Sequence, residues 1–344
     1  MKGIFVNESS NLINYNLSYK FLNKNIGIDV KETYPLRNSF YISDVNNDNY
    51  VLFKIHSKEI EKYKVIFEIL RKIDKNGAYV SKVYSKDGQE IFRDEDEDYI
   101  IFKLPKGNYR KWIELDFNLI KEGLIKFYNS SDGILNDLYS FNLKEDMKLL
   151  TIGDEIKTLD IYLDIIETID KIMFYKSNVE LLDKIFIENK ECMKEELLEA
   201  REFFSSDEFK YYCEDSKNIR FINGNLSNRS FLFDEKECFI ANFYDSSIDL
   251  FVKDIAILVG NGMFYVSNED LSLFIKNLLK RFNYNDGFHL EVIINYLKIY
   301  NYIFKWFNEH YIQGESCKNI IIEDKIKEMD YYRQKQYSFI KEYL

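Results

Sequence analysis

Apolar and polar residues alternate through most of the first hundred residues of the chain. This period of two is typical of half-buried β-strands and predicts five of them, separated by polar turns. The predicted strands cover residues 26–34, 37–45, 50–55, 78–84 and 98–104. Between the third and fourth strands, apolar residues recur at three-and-four spacing over Lys58–Lys75, which predicts one amphipathic helix. We expect this part of the chain to form an antiparallel sheet with a single helix.

Beyond residue 110 the apolar residues follow the period of helices instead. Helices are predicted over residues 116–129, 158–175, 179–204, from 254 onward, 268–282, 290–311 and 323–343. The segment Ile219–Leu258 interrupts them with a strand, a polar loop, a strand, a turn, a strand and the start of a helix. This layout is typical of the catalytic segment of a phosphotransferase.

Composition supports two connected lobes rather than independent domains. The chain has 344 residues, which suits about two domains or lobes. It has only two prolines, Pro35 and Pro105, and no Pro/Ser-rich linker. We therefore predict an N-terminal extension over 1–25, a β-rich lobe over 26–104, a hinge over 105–109 that bends at Gly107, and a helical lobe over 110–344.

The net charge and the cysteines indicate which classes of binding partner and which cellular compartment to expect. The net charge of −11 does not favour a basic surface for phosphates, so neither nucleic acid nor an anionic membrane is an expected partner. The four cysteines are widely spaced and form no CxxC, so we expect free thiols in a reducing cell interior. No apolar run is long enough for export or a membrane span, which makes synthesis in the cytoplasm the expectation.

The motif segment also carries a family resemblance. Asn223-Gly224-Asn225, Ser230 and the run from Ile240 to Ala256 fall in the positions of an HGDxxxxN loop followed by an IDFD strand end. The chain resembles the aminoglycoside phosphotransferase and choline kinase-like group, and most closely the spore-coat proteins of the CotS type. The resemblance implies an α+β, two-lobed protein kinase-like fold. It spans nearly the whole chain in the order and spacing of its parts.

The residues that carry catalysis in that group differ here. The group's loop Asp accepts the proton of the substrate hydroxyl, a following Asn holds a metal, and the Asp of the second motif also holds a metal. The corresponding residues are Asn225, Ser230 and Asn242, and the loop His is Asn223. An amide has no useful basicity and brings no negative charge to magnesium. The resemblance therefore implies a degenerate catalytic site.

Two further places bear on nucleotide and metal binding. Lys54 lies on the third predicted strand, where the group keeps a lysine that pairs with nucleotide phosphates, and Glu68 on the following helix is its candidate partner. The alternative is that both are solvated surface residues. The turn near Pro35–Ser39 has no glycine, which argues against a backbone cradle for phosphates. Asp245 follows the altered motif and is a candidate metal ligand together with Asn242.

Three functions remain open. In the favoured one, the chain is a catalytically inactive pseudokinase, a structural or interaction component of the bacterial spore coat with other coat proteins as partners. That hypothesis expects no cofactor. The second is an atypical small-molecule phosphotransferase that uses ATP or GTP with magnesium through relocated ligands. The third is a module that binds nucleotide without hydrolysing it.

Overall fold

The structure of the protein is a computed structural model. It describes residues 21–36, 39–133, 155–282, 287–299, 304, 307–312 and 321–343. The chain divides into two compact units. Of the described residues, the smaller unit comprises those up to Ile60 together with Val83–Leu104, and the larger comprises Glu61–Lys82 and those from Pro105 onward.

The smaller unit is built on an antiparallel sheet. Its strands are β1 (Val30–Pro35), β2 (Ser39–Asp44), β3 (Asn49–Ile55), β4 (Lys82–Val83), β5 (Ile91–Asp94) and β6 (Glu97–Lys103). The order is β1-β2-β3-β6-β4, and β5 pairs with β6. Its core joins the turn Phe21–Ile26 to buried residues of β2, β3, β5 and β6, among them Ile42, Leu52 and Phe92. The described part of the predicted extension, residues 21–25, therefore packs into this unit.

The acidic run from Arg93 to Asp98 forms a hairpin, whereas the sequence pattern suggests a solvated loop. Arg93 and Asp98 are paired residues of β5 and β6, and Glu95 takes a φ of 53° in the turn. Asp98 is only 4 % exposed, because it accepts a hydrogen bond from the Ser57 hydroxyl at 2.8 Å and pairs with Arg93. The acidic run therefore contains strand residues, and its Asp98 is buried with two polar partners.

The larger unit is mostly helical. Its helices are α1 (Ile60–Lys75, which begins at the boundary), α2 (Phe117–Ser130), α3 (Glu155–Tyr175), α4 (Leu181–Ser205), α5 (Asp207–Glu214), α6 (Phe251–Gly262), α7 (Asn268–Arg281), α8 (Phe288–Ile299) and α9 (Ile321–Tyr343). Helix α8 is buried on most sides, as the pattern predicts, although part of the predicted helix over 290–311 lies outside the described residues. Helix α5 was not predicted.

Short strands position the motif segment inside this unit. Strand β8 (Ile219–Ile222) pairs antiparallel with β11 (Ser247–Leu250), and β9 (Phe231–Phe233) pairs with β10 (Cys238–Ile240). Strand β7 (Asn108–Tyr109), within the predicted hinge, pairs with β9. The predicted succession of strands is therefore present, with β11 as an additional strand before α6.

The fold class is the one that the sequence predicts. An antiparallel sheet occupies the N-terminal region and helices make up most of the C-terminal part. Among the described residues, no helix has the length and apolar character needed to cross a membrane.

Candidate functional site

The loop after β8 is defined by a very close approach of two backbones. Gly224 has a φ of +81°, a conformation that side chains disfavour. A Cβ atom on it would lie 2.1 Å from the carbonyl oxygen of Asp245. Only glycine fits here, and the contact fixes the 223–225 loop against the segment that follows β10.

A buried carboxylate holds the same loop from the other side. Asp254, on α6, is 0 % exposed and accepts hydrogen bonds from the backbone N–H groups of Asn223 at 2.7 Å and Gly224 at 2.8 Å. The Tyr128 hydroxyl donates to it at 3.0 Å. Burial raises the pKa of Asp254 to about 6, against the lowering effect of these hydrogen bonds. Asp254 thus orients the loop.

Asn223, the residue in the place of the loop histidine, is fully enclosed. Its side-chain amide nitrogen donates to the carbonyl oxygens of Ala241 and Asn242, both at 3.1 Å. Its side-chain oxygen accepts from the backbone N–H of Asn225 at 3.3 Å. These bonds join the loop to the end of β10, so Asn223 braces the backbone, and its donors are not available to a ligand.

Ser230 also supports the loop from inside. Its hydroxyl donates to the carbonyl oxygen of Asn225 at 3.0 Å and accepts from the backbone N–H of Ser227 at 3.1 Å. The residue is 0 % exposed. The hydroxyl is therefore committed to local backbone groups.

The exposed end of the loop carries a paired amide and carboxylate. The Asn225 side-chain nitrogen donates to the Asp245 carboxylate at 2.8 Å. Asn242 takes a left-handed φ of 68°, and its buried side-chain oxygen has no hydrogen-bond partner among the described residues. Asparagine tolerates this backbone conformation better than most residues. Asp245, which is not a residue of the loop itself, is the carboxylate beside Asn225.

The fold family uses a divalent metal with its nucleotide, and the donors present here do not suit one. The Ser230 oxygen is committed to backbone groups, and Asn225 and Asn242 offer neutral amides. Magnesium binds through carboxylates together with substrate phosphates. No cluster of three or more histidine, cysteine or acidic side chains suited to a metal occurs in the described part of the chain. Among the candidate ligands named from the sequence, Asp245 is the carboxylate.

Lys54 and Glu68 each have an ion-pair partner within their own unit. The Lys54 ammonium lies 2.5 Å from Glu97 in the smaller unit, and Glu68 lies 2.5 Å from Arg71 in the larger one. Their proposed pairing with each other and with a nucleotide stays a prediction. The glycine-free turn that bears on phosphate binding includes Arg37 and Asn38, which lie outside the described residues.

A cavity of about 470 Å³ opens beside the loop, within the larger unit. Its described lining includes Asn225, Asp245, Ser247, Asp249, Lys253 and Glu155. Asp249, on β11, and Lys253, on α6, are four residues apart, and their side chains pair where the strand passes into the helix. Helix α3 contributes Glu155 to the same group. Lys253 was not singled out from the sequence, since a lysine on an apolar helix gives no local sign of its partners.

Lys253 joins two carboxylates at the cavity wall. Its ammonium lies 2.6 Å from Glu155 and pairs with Asp249, while the Tyr296 hydroxyl donates to Glu155 at 3.0 Å. Burial raises the pKa of Asp249 more than Lys253 lowers it. For Glu155, burial is outweighed by Lys253 and the hydrogen bonds, so its pKa is lowered. One ammonium faces two carboxylates, so the group is ion-paired but keeps an excess negative charge when both carboxylates are ionised.

Solved structures with a similar fold include several phosphotransferases. An aminoglycoside phosphotransferase from Alicyclobacillus acidocaldarius matches with a TM-score of 0.71 at 10% identity, over 92% of each chain. A spectinomycin phosphotransferase in complex with ADP and spectinomycin matches with a TM-score of 0.61 at 9% identity, over 94% of this chain and 97% of that one. A choline kinase from Streptococcus pneumoniae matches with a TM-score of 0.53 at 12% identity, over 93% and 98%.

Sequence comparisons add nothing to these matches, because no protein-family model and no curated protein matches the chain. At such low identity the structural matches establish the fold alone. The chain has the protein kinase-like fold seen in aminoglycoside phosphotransferases and choline kinase.

Proposed function

We propose that the chain is a kinase-fold protein that does not transfer phosphate and acts as a structural or interaction component. The observation that carries this proposal is the use of the loop's polar groups. Asn223 and Ser230 hold backbone groups, and Asn225 is an amide paired with Asp245. A base at Asn225 would have to accept a proton from a hydroxyl, and an amide cannot do so.

One observation favours a second candidate, an atypical phosphotransferase. Asp245 lies in the cavity lining and contacts Asn225 at 2.8 Å, so a carboxylate stands one side chain away from the usual position of the base. As relocated base or metal ligand, Asp245 would support transfer to a small hydroxylated molecule. The solved relatives in the fold, which bind spectinomycin or act on choline, make a small-molecule acceptor the natural class for this candidate.

Thermal unfolding of the purified protein with nucleotide separates these candidates. We expect no rise in Tm with millimolar ATP or GTP, with or without magnesium. Micromolar binding would stabilise the folded state by roughly 4 kcal/mol at such ligand concentrations. A rise without consumption of nucleotide, abolished in Lys54→Ala, would instead identify a nucleotide-binding module.

A turnover assay tests the loss of catalysis directly. We expect no release or transfer of phosphate from ATP or GTP by the unmodified protein. Steady turnover that disappears in Asp245→Ala and survives in Asp234→Ala, an exposed carboxylate of the β9–β10 turn, would establish the phosphotransferase instead.

The coat assignment rests on the resemblance to CotS-type proteins. We propose that the partners are other coat proteins, with basic ones favoured by the net charge of −11. A fluorescent fusion expressed in the source organism should collect at the surface of the developing spore. An even distribution through the cytoplasm during sporulation would remove the coat assignment and leave the fold unaffected.

A further inference from the structure

The connection between α3 and α4 carries two aromatic side chains that point into solvent. Phe174 and Tyr175, in the last turn of α3, are 83 % and 84 % exposed, and their ring centroids lie 5.1 Å apart. Ile172 and Val179, on either side of them in the chain, are exposed as well. We call these four residues the aromatic tip. The two rings alone leave roughly 300 Å² of apolar surface in water, and apolar patches of this size on monomers are often functional.

Buried polar contacts hold the base of the aromatic tip in one geometry. Asp183, on α4, is 0 % exposed, and its carboxylate accepts hydrogen bonds from the Glu180 backbone N–H and the Tyr311 hydroxyl, both at 2.6 Å. The Lys176 ammonium lies 2.7 Å from the same carboxylate. These contacts join the end of α3 and the start of α4 to the helical turn Asn308–Ile312. Aromatic rings on a fixed turn lose little conformational entropy on binding, which favours an interaction surface.

The aromatic tip is separate from the cavity beside the 223–225 loop. Tyr162 is the last α3 residue in the described lining of that cavity. Phe174 follows about 18 Å further along the helix axis, because each helical residue adds about 1.5 Å. The tip is therefore a second surface of the larger unit, at the far end of α3.

The charge of the two helices determines the kind of partner. Residues 155–205, which form α3, α4 and their connection, contain thirteen acidic and seven basic side chains, a net charge of −6. Two copies of this surface would bring like charges together, and an anionic membrane would be repelled. Charge complementarity therefore favours a partner that surrounds an apolar centre with positive charge.

We propose that the aromatic tip binds a basic amphipathic segment of a partner protein. The apolar side chains of the segment pack on Phe174 and Tyr175, and its lysine and arginine side chains face the acidic residues of α3 and α4. Glu167 is one of these residues, because it is exposed and lies two turns before Phe174 on the same side of α3. The inference rests on the proposed function, since it assigns a binding surface to a chain that acts through interaction.

Fluorescence anisotropy with two labelled peptides tests the proposal. The basic probe is LKKLLKLLKKLLKL, which forms an amphipathic helix of leucine and lysine, and its acidic counterpart has glutamate in place of every lysine. We expect a micromolar or lower Kd for the basic peptide and at least about tenfold weaker binding of the acidic one. No binding of the basic peptide, or equal binding of both, would overturn the proposal.

Variants of the aromatic side chains locate the binding. The double variant Phe174→Ser/Tyr175→Ser should weaken binding of the basic peptide about tenfold or more, with an unchanged Tm because both side chains are exposed. Tyr211→Ser is the matched control, since Tyr211 is a 72 % exposed tyrosine of α5 in the same unit. Equal affinity in the double variant and the unmodified protein would mean that charge alone attracts the peptide, which would contradict the assignment.

A charge reversal tests the electrostatic half of the proposal. Glu167→Lys should weaken binding of the basic peptide at least about threefold. Glu235→Lys makes the same change of charge at an exposed position of the β9–β10 turn and should leave the affinity unchanged. The same affinity in both variants would contradict the contribution of the acidic residues beside the tip.

Two further measurements exclude other occupants of the tip. Binding of the unmodified protein to phosphatidylcholine vesicles, lost in the double variant, would assign the tip to a membrane instead. Concentration-dependent dimerisation that is lost in the double variant would assign it to a second copy of the chain. Because the peptide titrations contain no nucleotide, detection of phosphate transfer in the turnover assay would reject the proposed function and leave the peptide result intact, whereas absence of peptide binding would strike only this inference.

Discussion

Gly224 shows how a single residue can fix the geometry of a loop. The sequence places a glycine in the loop, but the reason for it lies in a backbone some twenty positions further along the chain. Its φ of +81° disfavours a side chain, and a Cβ atom at this position would approach the Asp245 carbonyl oxygen to 2.1 Å. A side chain at position 224 would therefore suffer both from the unfavourable backbone conformation and from a clash with the Asp245 carbonyl group.

We therefore expect Gly224→Ala to destabilise the folded state by at least about 3 kcal/mol, measured by urea unfolding. Gly77→Ala is the matched control. Gly77 has a φ of +91°, but a Cβ there meets nothing within 4 Å. Only the conformational cost of about 1 kcal/mol should appear in the control. Equal losses in the two variants would mean that the Asp245 contact has no energetic weight.

Asp254 is a single residue that should make the free energy of unfolding depend on pH. Burial raises its pKa from 3.8 to about 6 in the folded state. A carboxyl group with a raised folded pKa stabilises the fold below its unfolded pKa, and this contribution is lost as the pH rises through the folded value. From pH 3.5 to pH 7 the loss should be about 3 kcal/mol.

The neutral variant Asp254→Asn isolates this effect. The free energy of unfolding of the unmodified protein, relative to Asp254→Asn, should fall by about that amount over the same pH interval. Urea unfolding at several pH values measures the difference. A constant difference between pH 4 and pH 7 would show that Asp254 keeps an ordinary pKa despite its burial.

Among the elements, α2 is placed by its contact with β10. Gly123, in the middle of α2, is so close to β10 that a Cβ would lie 2.9 Å from the Cys238 carbonyl oxygen. A glycine in a helix interior costs about 1 kcal/mol relative to alanine, so propensity alone disfavours it. Packing against the strand outweighs propensity here, and this contact joins residues more than a hundred positions apart.

Gly123→Ala should consequently lower stability by about 1 to 3 kcal/mol, in spite of the better helix propensity of alanine. Gly260→Ala in α6 is the comparison, because the nearest atoms to its Cβ would be Tyr332 and Leu297 at 3.6 and 3.7 Å, which is ordinary contact. That variant should hold or gain up to about 1 kcal/mol. Thermal unfolding of both variants checks the contrast; a gain in Gly123→Ala would show that α2 can shift away from β10.

The elements also show where sequence patterns are sufficient. Long periodic helices such as α3, α4 and α9 were predicted close to their observed bounds, because a buried stripe needs a regular spacing. Strand β5 was missed because the acidic residues that join it to β6 resemble a solvated turn, while the hydrogen-bond partner of the buried Asp98 on β6 is Ser57, far away in sequence. Helix α5 was missed because its eight residues are too few for the helical period to be recognised in the sequence.

At the scale of the whole molecule, the hydrophobic periodicity predicted the succession of strands and helices, and the family resemblance of the motif segment implied the kinase-like fold. The site was less accessible to sequence analysis. The altered motif residues could be named, since they sit at fixed spacing, but the ion-paired group of Lys253, Asp249 and Glu155 depends on α3 and α6 meeting in space. Similarly, the hydrogen bond of the Ser230 hydroxyl to the loop backbone could be identified only from the structure.

The reactivity of the cysteine thiols reports on the folding of the larger unit. Burial raises the pKa of Cys213 to about 11 and of Cys238 to about 12, and it raises the pKa of Cys192 as well. All three belong to the larger unit. At pH 8 a thiol of pKa 11 has roughly a hundredfold less thiolate than an ordinary cysteine, so it should react correspondingly slowly.

We expect Cys213 and Cys238 to react with a disulfide reagent at least about a hundredfold more slowly in the native protein than in concentrated urea. This factor follows from the raised pKa values of the two thiols in the folded state. Cys317 lies outside the described residues, and the experiment therefore uses Cys317→Ser. Release of the coloured thiolate of Ellman's reagent gives the rates. Rapid native labelling of Cys213 and Cys238 would contradict the raised pKa values of their thiols.

The contact of α1 with the segment after β10 has a consequence for synthesis on the ribosome. The Tyr63 hydroxyl, on α1, donates to the Tyr244 carbonyl oxygen at 3.0 Å. Translation at about 5–20 residues per second leaves a delay of roughly 10 to 30 s between these partners. During that interval the apolar face of α1 emerges before its partners exist, which makes this segment a natural place for a nascent-chain chaperone to act.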